Sequence, residues 1–576
     1  MDTTRRRRMG QIGPSHRIPG VVYQSQERLQ RYVDVGVLTD ETLVSAFRRA
    51  VGRFSTRTAL SEINWQCTYA ELDALTDRAA SAFLRLGLVP LDRVLFQLPN
   101  SKELVIAFLG CLKAGLIPIC TLAAHRQAEI GYLGRHAGAR AHIVSAAEKR
   151  FDFIAFAEEM RQSIPSLDLT IAIKGDANLL RDGVHSFERL IEAEDGAEAR
   201  RRVDAISHDP YQVALFQLSG GTTDIPKIIP RFHNEYLYTL RTFMEFYGFD
   251  ETIVAYSGLQ WIHNSSMLCC WGPAIFFGGE AVVGGSLEAD DVGPLFDRRK
   301  PNWLLAPPVL LFRLKESGWI DRLDLSKVKA FATGGGVQQL KALLNGAETV
   351  PMFGMTEGLI AQGHPSDPIE AKYHTVGRPI SPHDELKIFI PGTEVEAADG
   401  EVGELAIRGP SVTAGYFDAE ERNKVAFTSD GFYKSGDLMR IRTIEGQRYL
   451  VFEGRIKDVV SRGGEKINCE EVERAAADHP AIKAIAVVAM PDAVYQERAC
   501  AFVVPATGQS VTVADLGSFL EKKGLAKFKW PERIEFVAEF PVTAAGKLSK
   551  PKLREMIKDI LKQEKASASD ARARIA

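Results

Sequence analysis

The sequence has no uninterrupted apolar run near the roughly 20 residues that a helix needs to cross a bilayer, so nothing in it reads as a membrane span. It also has little cysteine. The seven are Cys67, Cys111, Cys120, Cys269, Cys270, Cys469 and Cys500, an odd number with no Cys-x-x-Cys pair. This argues against a disulfide framework, and no His/Cys cluster suggests a structural zinc; thiols of this kind point to the cytoplasm. Neither charge dominates. Lys and Arg total 71 against 74 Asp and Glu, a net charge of −3, which gives no electrostatic case for nucleic acid or an anionic membrane. No apolar segment follows Arg5-Arg6-Arg7-Arg8, so this is not a secretory leader, and residues 1–20 read as a disordered start. The Walker spacing Gly-x-x-x-x-Gly-Lys-Ser/Thr is absent too, which argues against a P-loop NTPase.

What is present is an ordinary globular composition, 45% hydrophobic and 25% charged, in 576 residues, too many for one core. Apolar spacing predicts a helix over 69–86, through Leu72, Leu75, Ala79, Ala80, Phe83 and Leu86. A strand over 93–97, a helix over 103–113 and strands over 117–120 and 141–144 follow. This β–α–β rhythm predicts parallel sheets flanked by helices. Residues 145–205 are charged and read as irregular. From about 470 to 560 the pattern changes to a small α+β unit: a helix, strands over 482–490 and 499–504, and a helix over 513–522. Residues 563–576 read as a frayed tail.

The centre of the chain is Leu218-Ser219-Gly220-Gly221-Thr222-Thr223-Asp224-Ile225-Pro226-Lys227, which follows an apolar run over 211–217 that reads as a buried strand. Glycines let backbone N–H groups turn towards an anion, threonine hydroxyls add donors, and Lys227 adds a positive charge. On composition alone it is as readily a plain turn. The stretch resembles the phosphate-binding signature of the adenylate-forming enzymes, Ser/Thr-Ser-Gly-Thr/Gly-Ser/Thr-Thr-Gly-x-Pro-Lys. With Ile228-Ile229-Pro230-Arg231-Phe232-His233-Asn234-Glu235-Tyr236 after it, it looks like the stand-alone aryl-acid AMP ligase branch. Asp224 departs from the pattern, which has Gly; a carboxylate there is repulsive to a triphosphate.

Further motifs appear in the family's order over roughly residues 30–560. Trp261-Ile262-His263-Asn264-Ser265 enters a predicted helix. Read alone, His-Asn is a helix cap; by the resemblance, His263 lies by the substrate carboxylate and Asn264 reads an ortho hydroxyl. The family's aromatic residue is replaced by Ser265, which implies a roomier pocket. A loop with Ala306-Pro307-Pro308 also resembles the family's. Gly334-Gly335-Gly336 is a flexible turn or a place where adenine or an aryl ring slides over backbone. In Phe353-Gly354-Met355-Thr356-Glu357, the resemblance implies that Phe353 stacks on adenine, Thr356 bonds phosphate and Glu357 holds Mg²⁺. Asp437, in Ser435-Gly436-Asp437, would accept from the ribose hydroxyls, and Arg455 would contact the same sugar. Lys457 matches the hinge, and Gly463, Gly464 and Lys466 match the loop that meets the thiol arm. Lys547, in Thr543-Ala544-Ala545-Gly546-Lys547, reads by itself as a solvated charge and by the resemblance as the catalytic lysine.

The resemblance therefore implies a large N-terminal α/β domain of parallel sheets over 21–456 with a small β subdomain, a hinge, and a mobile α+β lid over 457–562. It implies ATP and Mg²⁺, activation of an aryl acid to its adenylate with release of pyrophosphate, and transfer to the phosphopantetheine thiol of an aryl carrier protein. No carrier attachment site follows residue 560, so the carrier would act in trans. Siderophore assembly is the implied pathway, with a monomer or homodimer as the expected state. Cys269 and Ile360 favour salicylate over 2,3-dihydroxybenzoate, because losing a polar partner would bury a 3-hydroxyl unpaired. A 2,3-dihydroxybenzoate–AMP ligase and an aryl-acid:CoA ligase remain open. So does a catalytically weak ligand-binding relative, prompted by Asp224 and Ser265, although Glu357, Asp437, Arg455 and Lys547 are retained.

Overall fold

Short apolar strands between longer amphipathic helices build two sheets that hold most of the chain. The computed structural model describes residues 12–175, 180–219, 226–462, 465–492, 495–523, 525–543 and 546–573. One sheet has seven strands in the order Val184–Ser186, Leu169–Ile173, Ala139–Ser145, Arg93–Gln97, Ile117–Ile119, Val213–Leu218 and Ile228–Phe232. All its pairings are parallel except the last, where Val213–Leu218 and Ile228–Phe232 form a hairpin. The other has nine strands, with Thr349–Gly354, Ala330–Thr333, Trp303–Leu305, Val254–Ser257 and Glu280–Val282 parallel at its centre.

The helices Tyr69–Arg85 and Lys102–Lys113 pack face to face. A Cβ on Gly110 would come within 2.8 Å of Ala79 Cβ, so the close approach needs glycine there. The first helix starts with a capping box, Thr68 N–H donating to Glu71 at 2.7 Å and Glu71 N–H to Thr68 Oγ1 at 3.2 Å. Together these elements make the expected α/β domain. Its small β subdomain is an antiparallel sheet of Glu385–Phe389, Gly403–Arg408, Tyr433–Ile444 and Gln447–Arg455.

The C-terminal part is α+β, as expected. Val459–Arg462, Glu465–Asn468, Gln496–Pro505, Ile482–Asp492 and Arg533–Phe536 form one sheet, with Cys469–Ala476, Val513–Lys522 and Lys550–Ala573 as helices.

Three sequence readings need correction. Residues 145–205 are not irregular: they carry the helices Phe153–Ser163, Phe187–Glu192 and Gly196–Asp204 and the two strands at one end of the seven-stranded sheet, of which Val184–Ser186 is the edge. Their charges lie on solvated faces, which hid the short buried strands. Residues 12–20 are tied down, with Ser15 N–H donating to Asp209 and Gln212 Nε2 to His16 O at 2.6 Å each. The last helix runs through Ala573 and is anchored by Arg533 on Glu564 at 2.6 Å. All seven cysteines are buried and free. No helix among the described residues is long and apolar enough to cross a membrane.

Candidate active site

The phosphate-loop motif is the tip of the hairpin Val213–Leu218/Ile228–Phe232. Ser219 N–H donates to Lys227 O at 3.0 Å, and Lys227 N–H donates to Ser219 Oγ at 3.2 Å, which closes the base of the loop. Gly220, Gly221, Thr222, Thr223 and Asp224 lie outside the described residues. The Lys227 ammonium sits 4.8 Å from the ring centre of Tyr416. The hydroxyl of that tyrosine donates to Glu357 Oε1 at 2.7 Å and lies 3.0 Å from Tyr433 Oη. One aromatic side chain thus joins the lysine of the loop to the carboxylate assigned to Mg²⁺. Burial and Glu357 both raise the Tyr416 pKa, so it stays a donor.

Arg231 is the residue whose role the sequence did not disclose. Its side chain is 0% exposed. It pairs with Glu235, donates to Thr356 O at 2.6 Å and donates to Ser411 O at 2.9 Å. It therefore holds the Thr356-Glu357 turn against the hairpin. Gly358 completes that turn: its φ is +147°, and a Cβ there would meet Ser411 O at 2.4 Å. Thr413 N–H donates to Glu357 O at 2.7 Å. Thr356 and Glu357 are both buried. Their hard oxygens suit Mg²⁺. No group of three or more His, Cys, Asp or Glu among the described residues could hold a metal alone. Mg²⁺ commonly takes one or two protein oxygens and completes its shell with phosphate and water, so this donor set fits a metal that arrives with a nucleotide.

His263 ends the loop after Val254–Ser257 and caps the short helix that starts at Asn264, so the cap reading of the pair holds. Met267–Trp271 then widens to a π turn, a distortion frequent at functional sites, before Gly272–Phe277. Burial first, and Lys547 second, bring the His263 pKa down to about 4, so its imidazole is neutral. Asn264 Oδ1 accepts from Tyr236 Oη at 2.9 Å, which leaves its amide NH₂ for a ligand. Ser265 does more than vacate space: its Oγ lies 2.8 Å from His263 Nδ1. Cys269 and Ile360 are buried in one core cluster. Gln362, two residues beyond Ile360 on the strand Ile360–Gln362, lies beside the Cys269 thiol. Its Nε2 is buried without a partner, although its Oε1 accepts from Tyr247.

Ala330–Thr333 leads into Gly334, Gly335 and Gly336, all exposed; a Cβ on either of the first two would meet no protein atom. Phe353 lies 5.8 Å from Phe452, ring to ring. Asp437 is buried on Tyr433–Ile444 and pairs with Arg455 on the adjacent strand at 3.1 Å. Burial outweighs that arginine and pushes the Asp437 carboxyl up to about 6.

Lys547 belongs to the small C-terminal unit, yet it is electrostatically coupled to Asp437, Arg455 and His263 of the large one. The residue is exposed; desolvation first, then Arg455, lowers its pKa against the pull of Asp437. Lys457 falls in the short turn Ile456–Asp458. Gly463 and Gly464 lie outside the described residues, as does the side chain of Lys466.

The profile of the AMP-binding enzyme family matches residues 47–417, and that of the AMP-binding enzyme C-terminal domain matches 471–547. The 2,3-dihydroxybenzoate-AMP ligase of Bacillus subtilis is 36% identical over 543 residues, 93% of this chain and 97% of that one. A Streptomyces salicylyl-CoA synthase / salicylate adenylyltransferase is 33% identical over 554 residues, 94% of this chain and 98% of its own. The apo structure of Mycobacterium smegmatis MbtA matches with a TM-score of 0.69 at 33% identity, covering 93% of this chain and 98% of that one.

Proposed function

The chain belongs to the AMP-binding enzyme family, and from that premise we propose that it adenylates an ortho-hydroxy aryl acid and passes the acyl group to a thiol. The observation that carries the proposal is Lys547, brought from the small unit into the electrostatic field of His263, Asp437 and Arg455.

In the first step a carboxylate oxygen of the acid attacks the α-phosphorus of ATP. A new P–O bond forms and the bond to pyrophosphate breaks. Ser219, Lys227 and the loop between them hold the departing phosphates, and Lys547 stabilises the charge that develops on the α-phosphoryl group. Thr356 and Glu357 would hold Mg²⁺, which when bound neutralises phosphate charge. Asp437 and Arg455 fix the ribose, Phe353 with Gly334 and Gly335 the adenine. His263, Asn264, Ser265, Cys269, Gly335, Gly336 and Ile360 line the acid site. In the second step the small domain turns about Lys457 and brings the loop of Gly463, Gly464 and Lys466 to the cleft. The thiol sulfur attacks the acyl carbon, and AMP leaves. The thiol belongs to the phosphopantetheine arm of a carrier protein in trans, or to CoA.

Cys269 and Ile360 support salicylate as the acid. A second reading, 2,3-dihydroxybenzoate, is favoured by Gln362, whose unpartnered buried amide beside Cys269 would be satisfied by a 3-hydroxyl. The names of the two relatives support one reading each. ATP–pyrophosphate exchange with salicylate, 2,3-dihydroxybenzoate, benzoate, anthranilate and 3-hydroxypicolinate tests both. Exchange with one of the two hydroxybenzoates assigns the acid. No exchange with any acid, from folded protein, overturns the proposal.

A further inference from the structure

We propose that Ser265 is a positioning residue: it holds His263 as the tautomer with its proton on Nε2, so that a neutral N–H meets the carboxylate of the aryl acid. The proposal rests on the reading above. Two donors converge on one ring nitrogen. The Ser265 backbone N–H, which can only donate, lies 3.2 Å from His263 Nδ1. That nitrogen must therefore present its lone pair, and the Ser265 hydroxyl, 2.8 Å from the same atom, donates as well. With Nδ1 occupied twice, the ring proton resides on Nε2.

The chain contains its own control. His364 and Ser366, two residues apart on the surface, make the same pair of contacts, 2.6 Å through the hydroxyl and 3.2 Å through the backbone N–H. His-x-Ser adopts this geometry without a substrate, so the imidazole of His263 is set before the acid binds. The family pattern has an aromatic residue where this chain has Ser265. Here a donor has replaced a wall.

The electrostatics of the cleft give this a use. The charged group that acts on His263 is Lys547, which lowers the affinity of its imidazole for a proton. The helix His233–Tyr247 adds Tyr236, whose hydroxyl is engaged with Asn264. An imidazolium would repel the ammonium that the α-phosphate needs; a neutral Nε2–H orients the carboxylate without opposing Lys547.

The test combines ¹⁵N-histidine NMR, with H263Q to assign the signal, and the pH dependence of pyrophosphate exchange in wild type, S265A and S265T. Wild type at pH 7 should give a neutral ring protonated on Nε2. In S265A the acid limb of kcat/KM should move up by roughly half to one pH unit and kcat should fall about fivefold, the effect of one lost hydrogen bond. S265T should restore both. An Nδ1–H tautomer or an imidazolium in wild type overturns the proposal, and so does an S265A limb that does not move. The wild-type spectrum decides the tautomer even if S265A does not fold. If no acid supports exchange in wild type, the role towards a carboxylate is refuted while the tautomer is still read, so the two failures are distinct.

Discussion

Replacing Arg231 with methionine should cost more than any surface change in the large domain. The guanidinium is fully buried, pairs with Glu235 and donates to Thr356 O at 2.6 Å and Ser411 O at 2.9 Å. R231M strands the Glu235 carboxylate, which burial already disfavours. Removing one partner of a buried pair costs about 3–5 kcal/mol. In R231M/E235L the charge is gone, but two carbonyls remain unpaired, at about 1–3 kcal/mol each. The double variant should therefore lose less than the two single variants added together, with a coupling of about 2 kcal/mol. Urea unfolding followed by tryptophan fluorescence reads this, since Trp261, Trp271 and Trp303 are buried in the same domain. Pyrophosphate exchange should fall in parallel, because Thr356 and Glu357 lose their anchor. A loss under about 1 kcal/mol for R231M, or strict additivity in the double variant, would refute the clamp.

D224G removes a carboxylate from the loop proposed to hold the triphosphate and should lower KM for ATP about fivefold, the equivalent of about 1 kcal/mol of like-charge repulsion across water; an unchanged KM would remove Asp224 as a brake. C269S should raise the kcat/KM ratio of 2,3-dihydroxybenzoate to salicylate about three- to tenfold, and Q362L should lower it; a ratio unmoved by both would place the 3-position elsewhere. Asp384 has a buried Oδ1 with no partner, and burial pushes its carboxyl from the ordinary aspartate range up to about 7. The folded protein holds that proton more tightly than the unfolded chain, so stability falls as pH rises from about 4 to about 7. D384N should remove that slope and raise the unfolding midpoint at pH 8 but not at pH 4; equal shifts at both would refute the assignment.

The parts of the fold legible in the sequence were those with local signals. The helix expected over 69–86 is Tyr69–Arg85, and the strand over 93–97 is Arg93–Gln97. Apolar periodicity and a capping box specify the helix, and a short apolar run the strand. Val184–Ser186 was not legible: three residues at a sheet edge give no period to read. The same division holds in the site. His263, Asn264 and Asp437 announce themselves by motif. The role of Arg231 depends on Thr356, 125 positions away, and that of Tyr416 on Glu357, 59 positions away. Ser265 could be read only by size, because its bond to His263 depends on backbone angles that one sequence does not display.

These long-range bonds also separate what is fixed from what turns. Arg231, Tyr416 and the Thr413 N–H bind the hairpin, the Thr356-Glu357 turn and the 409–417 segment into one unit. The Thr356-Glu357 turn, proposed to hold the metal, is thus tied to the strands of the hairpin. Among the described residues, Lys547 has no such tie to the large domain. Among the described residues, the side-chain hydrogen bonds that cross between the two parts run from Asn468 to Glu453 O, and from Arg474 to Phe452 O at 3.0 Å and Glu453 at 2.6 Å. All end within five residues of Lys457, beside the proposed pivot. The Arg474 side chain is half exposed, so its ion pair is worth about 0–1 kcal/mol. Bonds beside a pivot move little when the body beyond them rotates. The small domain could therefore carry Lys547 away from Asp437 without first breaking a distant side-chain hydrogen bond among the described residues, as the proposed two-step acyl transfer requires.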